Sequence, residues 1–215
     1  MRGLPTRVEV PHGPGVLGQS LERGHNGVMD SSTVLAVDLS FDLPMRGLWE
    51  VCRQAAIMAA DSIRARQGLS PLVIGFNDSA RWLDVSDLAD LEYNAVYGTN
   101  VQHALSLARY ELDGAGAAKR ILLIAEVEPT SHCDAHGESY FDFPPSPETR
   151  RITLNEARAC AVAGIRVDLL LLTINSKFRP LAAEIAKECG GSMESLSGLM
   201  PTSMQIEEFL SKTGF

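Results

Sequence analysis

Apolar residues recur along the chain with two different periods. Four stretches are continuous apolar runs: "TVLAVDL" from Thr33, "PLVIGF" from Pro71, "RILLIAEV" from Arg120 and "IRVDLLLLTI" from Ile165. Runs of this length suit β-strands covered on both faces. Between them the spacing changes to three and four. In residues 46–67, Leu48, Val51, Cys52, Ala55, Met58, Ala59 and Ile63 fall on one stripe, and Gly68 supplies a stop. Residues 99–112 repeat the pattern with Val101, Ala104, Leu105 and Ala108 inward. Further helices are predicted over 148–163, ended by Gly164, and over 177–188. A last one spans "SMQIEEFLSKT", with Ser203 as N-cap and Ile206, Phe209 and Leu210 inward. "ARWLD" follows the second strand closely enough to be its hairpin partner, an antiparallel edge, and "GGSMESL" reads as a short edge strand. Strands alternating with amphipathic helices predict an α/β fold. The expected architecture is a doubly wound, mostly parallel sheet with one antiparallel edge strand and helices on both faces.

Two regions lack this order. Residues 1–31 are rich in Gly and Pro and read as a flexible arm or linker, with "TRVEV" a possible short strand; residues 32–215 form the domain. After the third strand comes a connection of about twenty residues, "EPTSHCDAHGESYFDFPPSPET". A loop of that length inside a domain is expected to be functional or disordered.

Composition narrows the function. The 215 residues carry a net charge of −8 and 45% hydrophobic residues, ample for one core. No Lys/Arg block is present, which excludes a nucleic-acid surface. Four scattered cysteines without a CxxC pair favour a reducing compartment. Residues 1–20 have no signal-peptide core and no run is long enough for a membrane span, so a cytoplasmic protein is expected.

Ligands of such sheets bind at the strands' carboxyl ends. Three places there carry oxygen side chains: Asp38-x-Ser40-x-Asp42 after the first strand, Thr99 before the second long helix, and Glu126 after the third run. Alternation aims Asp38, Ser40 and Asp42 one way. Carboxylates, hydroxyls and waters suit a hard cation such as Mg²⁺. Plainer readings stand beside this one. Asp42 could sit at a helix N-terminus, Thr99 could be an N-cap, and Glu126 could be a solvated loop carboxylate. A phosphatase of the Asp-x-Asp type would need a carboxylate where Ser40 stands, and no phosphate loop or nucleophile elbow is present.

The constellation resembles a von Willebrand factor type A domain with its metal-ion-dependent adhesion site (MIDAS). "DLSFDLPMRG", "VIGFNDSARWL" and "VYGTNVQHALSLAR", with the long connection quoted above, further resemble the bacterial CoxE-like group that accompanies MoxR-type AAA+ ATPases. The likeness covers residues 33–215. It implies a non-enzymatic protein-interaction module that binds Mg²⁺, with Ca²⁺ or Mn²⁺ as alternatives. Its metal ligands would be Asp38, Ser40, Asp42, Thr99 and Glu126, and its partner a MoxR-type AAA+ ATPase or a client protein. Two positions depart from the family. Asp42 replaces a Ser, and Glu126-Val127 replaces Asp-Gly. Three carboxylates would then share one cup, with at least one pKa raised. Val127 cannot take a glycine's conformation cheaply, so an altered loop is expected. A metal-free scaffold and a metal-dependent hydrolase are the competing readings. His132, Cys133 and His136 supply too few ligands for a structural zinc site, and His103 is expected to face a neighbour or solvent. Tyr140, Phe141 and Phe143 either fold back on the core or form a partner-facing patch beside the cup.

Overall fold

A computed structural model describes residues 32–93, 95–116, 118–134, 136–172, 177–196 and 203–215. The arm over residues 1–31, with its suggested "TRVEV" strand, lies outside the described residues. In chain order the elements are β1 (Thr33–Asp38), α1 (Asp42–Met45), α2 (Trp49–Gln67), β2 (Leu72–Phe76), β3 (Ala80–Leu83), a 3₁₀ turn (Val85–Leu88), α3 (Val101–Leu112) and β4 (Arg120–Ala125). There follow β5 (Ser131–Cys133), β6 (Ser139–Phe141), α4 (Pro147–Val162), β7 (Arg166–Leu171), α5 (Arg179–Glu188), β8 (Met193–Ser195) and α6 (Ser203–Thr213).

The main sheet has the order β3-β2-β1-β4-β7-β8. Within this sheet, among the described residues, the β2–β3 pair alone is antiparallel, at the edge, as its spacing predicts. Alternate residues of each strand enter two cores. Val34, Ala36, Ile121, Leu123 and Leu169 face α3, α4 and α5. Leu35, Val37, Leu122, Ile124 and Leu170 face α1, α2 and α6. Burial on both faces explains the unbroken apolar runs.

Three local expectations need correction. The first long helix starts at Trp49 rather than residue 46, because Gly47 turns the chain at φ 70° after a separate short α1. Pro44 is tolerated inside α1, where the first-turn amides have no helical partner anyway. The connection after β4 is not structureless: β5 and β6 pair as a hairpin, Ser131 opposite Phe141 and Cys133 opposite Ser139. Helix α6 includes Ser203 as its first residue, so the preceding position lies outside the described residues.

At the amino end of the strands the sheet is clasped by charge. Asp168, fully buried in β7, accepts from Arg166 at 2.8 Å through both oxygens, from Arg120 at 3.2 Å and from the Ser192 amide at 2.8 Å. Arg120 also donates to the carbonyls of Thr213 and Gly214 and lies 3.7 Å over the Phe215 ring. This clasp ties α6 to the sheet at the end opposite the candidate site.

Candidate functional site

Strand order reverses around β1. Its neighbours are β2 on one side and β4 on the other, so chain leaving β1 and chain leaving β4 turn to opposite faces. A crevice is expected at that switch point. Asp38 ends β1 and Glu126 follows β4, and the two meet there. Asp38 Oδ1 accepts from the Ser40 amide at 2.9 Å, and Oδ2 accepts from the Glu126 amide at 3.2 Å. Asp38 is fully buried. Burial therefore dominates its ionisation and raises its pKa to about 6, against the amides that hold it charged; the charge of Asp42 adds the least. The Ser40 hydroxyl lies near enough to this carboxylate to help hold it charged, yet among the described residues Ser40 Oγ, itself buried, makes no hydrogen bond of ordinary geometry.

Glu126 is nearly as buried, and burial lifts its carboxyl to about 7 although the Arg46 charge opposes the shift. Arg46 bridges Glu126 and Glu128, the second at 3.0 Å. Sequence reasoning missed both Arg46 and Glu128. Glu126 and Glu128 alternate in "EVE", which places both carboxylates on one side of an extended chain, and that was the available signal. Between them Val127 adopts φ 58° and is fully buried in the α3–α4 core. Valine takes the left-handed backbone, a conformation that costs about 1–3 kcal/mol. Its buried side chain offsets this with roughly 1.5–3 kcal/mol.

Thr99 is buried, and its amide donates to Thr130 Oγ1 at 3.0 Å. The N-cap of α3 is Asn100, not Thr99: Asn100 Oδ1 accepts from the His103 amide at 2.9 Å. Gly98 makes the approach possible. Its φ is 119°, and a Cβ there would stand 2.3 Å from Ser131 Oγ, a second buried hydroxyl that has no hydrogen-bond partner among the described residues. Asp42 opens α1 and is half-buried. A hydrogen bond from the Phe41 amide to the Val96 carbonyl, 3.3 Å, ties the Asp38–Asp42 loop to the Thr99 loop.

The structure thus joins Asp38, Ser40 and Glu126, and brings the Thr99 loop alongside. It does not assemble the expected three-carboxylate cup: among the described residues no three His, Cys, Asp or Glu side chains form a group that could hold a metal. The physical reason is that Asp38 is spent on backbone amides and Glu126 on Arg46. Of the other candidates, His132 Nδ1 hydrogen-bonds Thr149 Oγ1 at 2.9 Å and His103 Nδ1 accepts from the Ala80 amide at 3.1 Å. Tyr140, Phe141 and Phe143 are exposed, so the fold-back reading gives way to the exposed patch.

Stability should depend on pH through this site. Asp38 at about 6 and Glu126 at about 7 keep protons that the unfolded chain releases near pH 4. The native state therefore binds more protons between about pH 4 and pH 7, and stability falls as pH rises through that window. Asp38 alone accounts for about 3 kcal/mol. Urea unfolding of the wild type and Asp38→Asn at pH 5 and 7.5 checks this: the variant should lose much of the slope.

Comparison with known proteins bears on the fold and the family. The family model described as "Rv0959-like protein, vWA domain" matches residues 31–210. The uncharacterized protein Rv0959 of Mycobacterium tuberculosis is 29% identical over 167 residues, which take in 75% of this chain and 25% of that protein. A protein of Mycobacterium bovis described as uncharacterized matches to the same extent. The chain therefore spans about a quarter of the length of the curated relatives it matches. Among solved structures, the vWF domain of the type V pili tip protein Mfa5 from Porphyromonas gingivalis is similar with a TM-score of 0.60 at 11% identity, covering 85% of this chain and 94% of that one. An aerotolerance-related membrane protein from Bacteroides fragilis aligns with a TM-score of 0.57 at 16% identity, covering 84% and 98%. The pilus adhesin SpaC of Lactobacillus rhamnosus GG gives 0.63 at 15% identity, covering 84% and 29%. Among the described residues no helix is long and apolar enough to cross a membrane. The resemblance drawn from Asp38, Ser40 and Thr99 holds at the level of the domain, and the chain belongs to the Rv0959-like family of von Willebrand factor type A domains.

Proposed function

We propose that this domain is a protein-interaction module, that its docking face is the carboxyl edge of the sheet, and that a divalent cation seated at Ser40 completes that face. The observation that carries this reading is the Ser40 hydroxyl, buried beside the Asp38 carboxylate and making no hydrogen bond of ordinary geometry among the described residues. A buried hydroxyl left unpaired costs about 1–3 kcal/mol, and a hard cation removes that cost. Asp38 would bring the charge, Ser40 and Thr99 neutral oxygens, with Asp42 at the rim. Glu126 would act from behind, through its pairing with Arg46. Mg²⁺ suits such a set because it retains several waters, and Ca²⁺ or Mn²⁺ could replace it. A bound ion supplies a Lewis-acidic point for an oxygen of the partner.

The resemblance to the CoxE-like group supports a MoxR-type AAA+ ATPase, or a client that it remodels, as the partner in the cytoplasm. The role is binding rather than catalysis, since Ser40 stands where a phosphatase would need its second carboxylate. One observation favours a metal-free scaffold as second reading: Arg46 already pairs with both Glu126 and Glu128. Calorimetric titration separates the two. Mg²⁺ should bind the wild type and fail to bind Ser40→Ala, and partner pull-down should weaken with chelator and with Thr99→Ala. A pull-down indifferent to both, with no heat from Mg²⁺, Ca²⁺ or Mn²⁺, would establish the metal-free scaffold instead.

A further inference from the structure

The loops that carry the site hydroxyls also carry aromatic rings. Phe41, half-buried, follows Ser40, and Tyr97, exposed, precedes Gly98-Thr99. Next to Phe141, the Asp142 amide donates at 2.8 Å to the carbonyl of Thr130, whose hydroxyl accepts from the Thr99 amide. The rings touch in sequence. Phe41 meets Tyr97 edge to face with centroids 5.1 Å apart, and Tyr97 meets Phe141 at 6.5 Å. Tyr97 is 62% exposed, Phe141 49% and Phe143 68%. Half-buried Phe41 anchors a strip whose Tyr97 and Phe141 rings stand in water, and a strip of exposed rings marks a contact surface.

We propose that this aromatic strip receives a segment of a partner protein that carries arginine or lysine side chains. The proposal rests on the carboxyl edge being a docking face, but not on the cation seat. Charge decides the partner's sign. Asp42 follows Phe41 and Asp142 follows Phe141. Asp78, Asp134 and Glu138 gather at the β5–β6 hairpin, near enough for their charges to act on the Cys133 thiol. Arg46, the guanidinium beside the site, is already engaged by Glu126 and Glu128. Ring faces flanked by carboxylates attract guanidinium and ammonium groups, arginine above all because it also stacks. The same carboxylates repel an acidic segment and an anionic bilayer.

The test uses two probes, a short Gly-Ser-Arg repeat peptide and its Gly-Ser-Glu counterpart, titrated into isotope-labelled protein and followed by backbone amide shifts. The arginine peptide should move the amides of residues 41, 97 and 140–143, and the glutamate peptide should not. Its affinity should fall about fivefold or more in the Tyr97→Ser, Phe141→Ser double variant, with the melting temperature unchanged. If that variant does not fold, the wild-type shift map alone decides. Peptide binding should persist in Ser40→Ala and in chelator, whereas any Mg²⁺ response should vanish, so failure of the cation seat and failure of the strip are told apart. Three results would overturn the proposal: no shifts with the arginine peptide, shifts scattered over acidic helix surfaces, or an equal response to the glutamate peptide. Loss of vesicle binding to phosphatidylglycerol, rather than of peptide binding, in the double variant would also overturn it and assign the strip to membranes.

Discussion

Replacing Asp168 by alanine is expected to destabilise the domain by about 3–5 kcal/mol, because it removes the counter-charge from a largely buried guanidinium. Arg120 is 14% exposed at its side chain, and Arg166 lies close enough to repel it. Both turn to the same carboxylate. Without Asp168 the two cations repel each other with no shared carboxylate, Arg120 being the one largely shielded from water, and the Ser192 amide loses its acceptor. The C-terminal carbonyls that Arg120 holds, and the Phe215 ring beneath it, would loosen as well. Urea unfolding at pH 7 gives the measurement. Asp168→Asn should cost less, since it keeps an oxygen for the arginines. A loss below about 1 kcal/mol for Asp168→Ala would mean that water already reaches the clasp.

The second large effect lies at the other end of the strands. Arg46→Ala should cost about 2–4 kcal/mol near pH 8, because Glu126 and Glu128 are then buried without their shared cation. The loss should shrink toward pH 5. Glu126 already has a pKa of about 7 with Arg46 present, and removing that charge raises it further, so the variant escapes the penalty by binding a proton. An equal loss at both pH values would show that the guanidinium contributes through packing against Phe178, 5.9 Å away, rather than through charge.

These two residues also show where sequence reading succeeds and fails. The sheet was legible because β1, β4 and β7 are buried on both faces and so must be apolar throughout. Asp38 was legible for the same reason, since a carboxylate ending such a run has to have a purpose. Asp168 breaks the apolar run of β7 in the same way, but its partners Arg120 and Ser192 are remote in sequence, so the clasp could not be read. Arg46 reads as an ordinary surface charge; only the fold brings it over a carboxylate 80 positions away. Val127 was read from its intrinsic preference for extended backbone, yet it takes a left-handed φ while its side chain packs in the core with α3 and α4. The hairpin of β5 and β6 escaped notice because its strands are three residues each, too short for a period to appear.

Ser40 remains the centre of the account, and diffraction from crystals soaked in Mn²⁺, recorded at the manganese absorption edge, tests it most directly. An anomalous peak bonded to Ser40 Oγ, with Thr99 and Asp38 around it, is the expected result. A hydrogen bond from Ser40 Oγ to protein or water, with no peak beside it at saturating Mn²⁺, would contradict the cation seat.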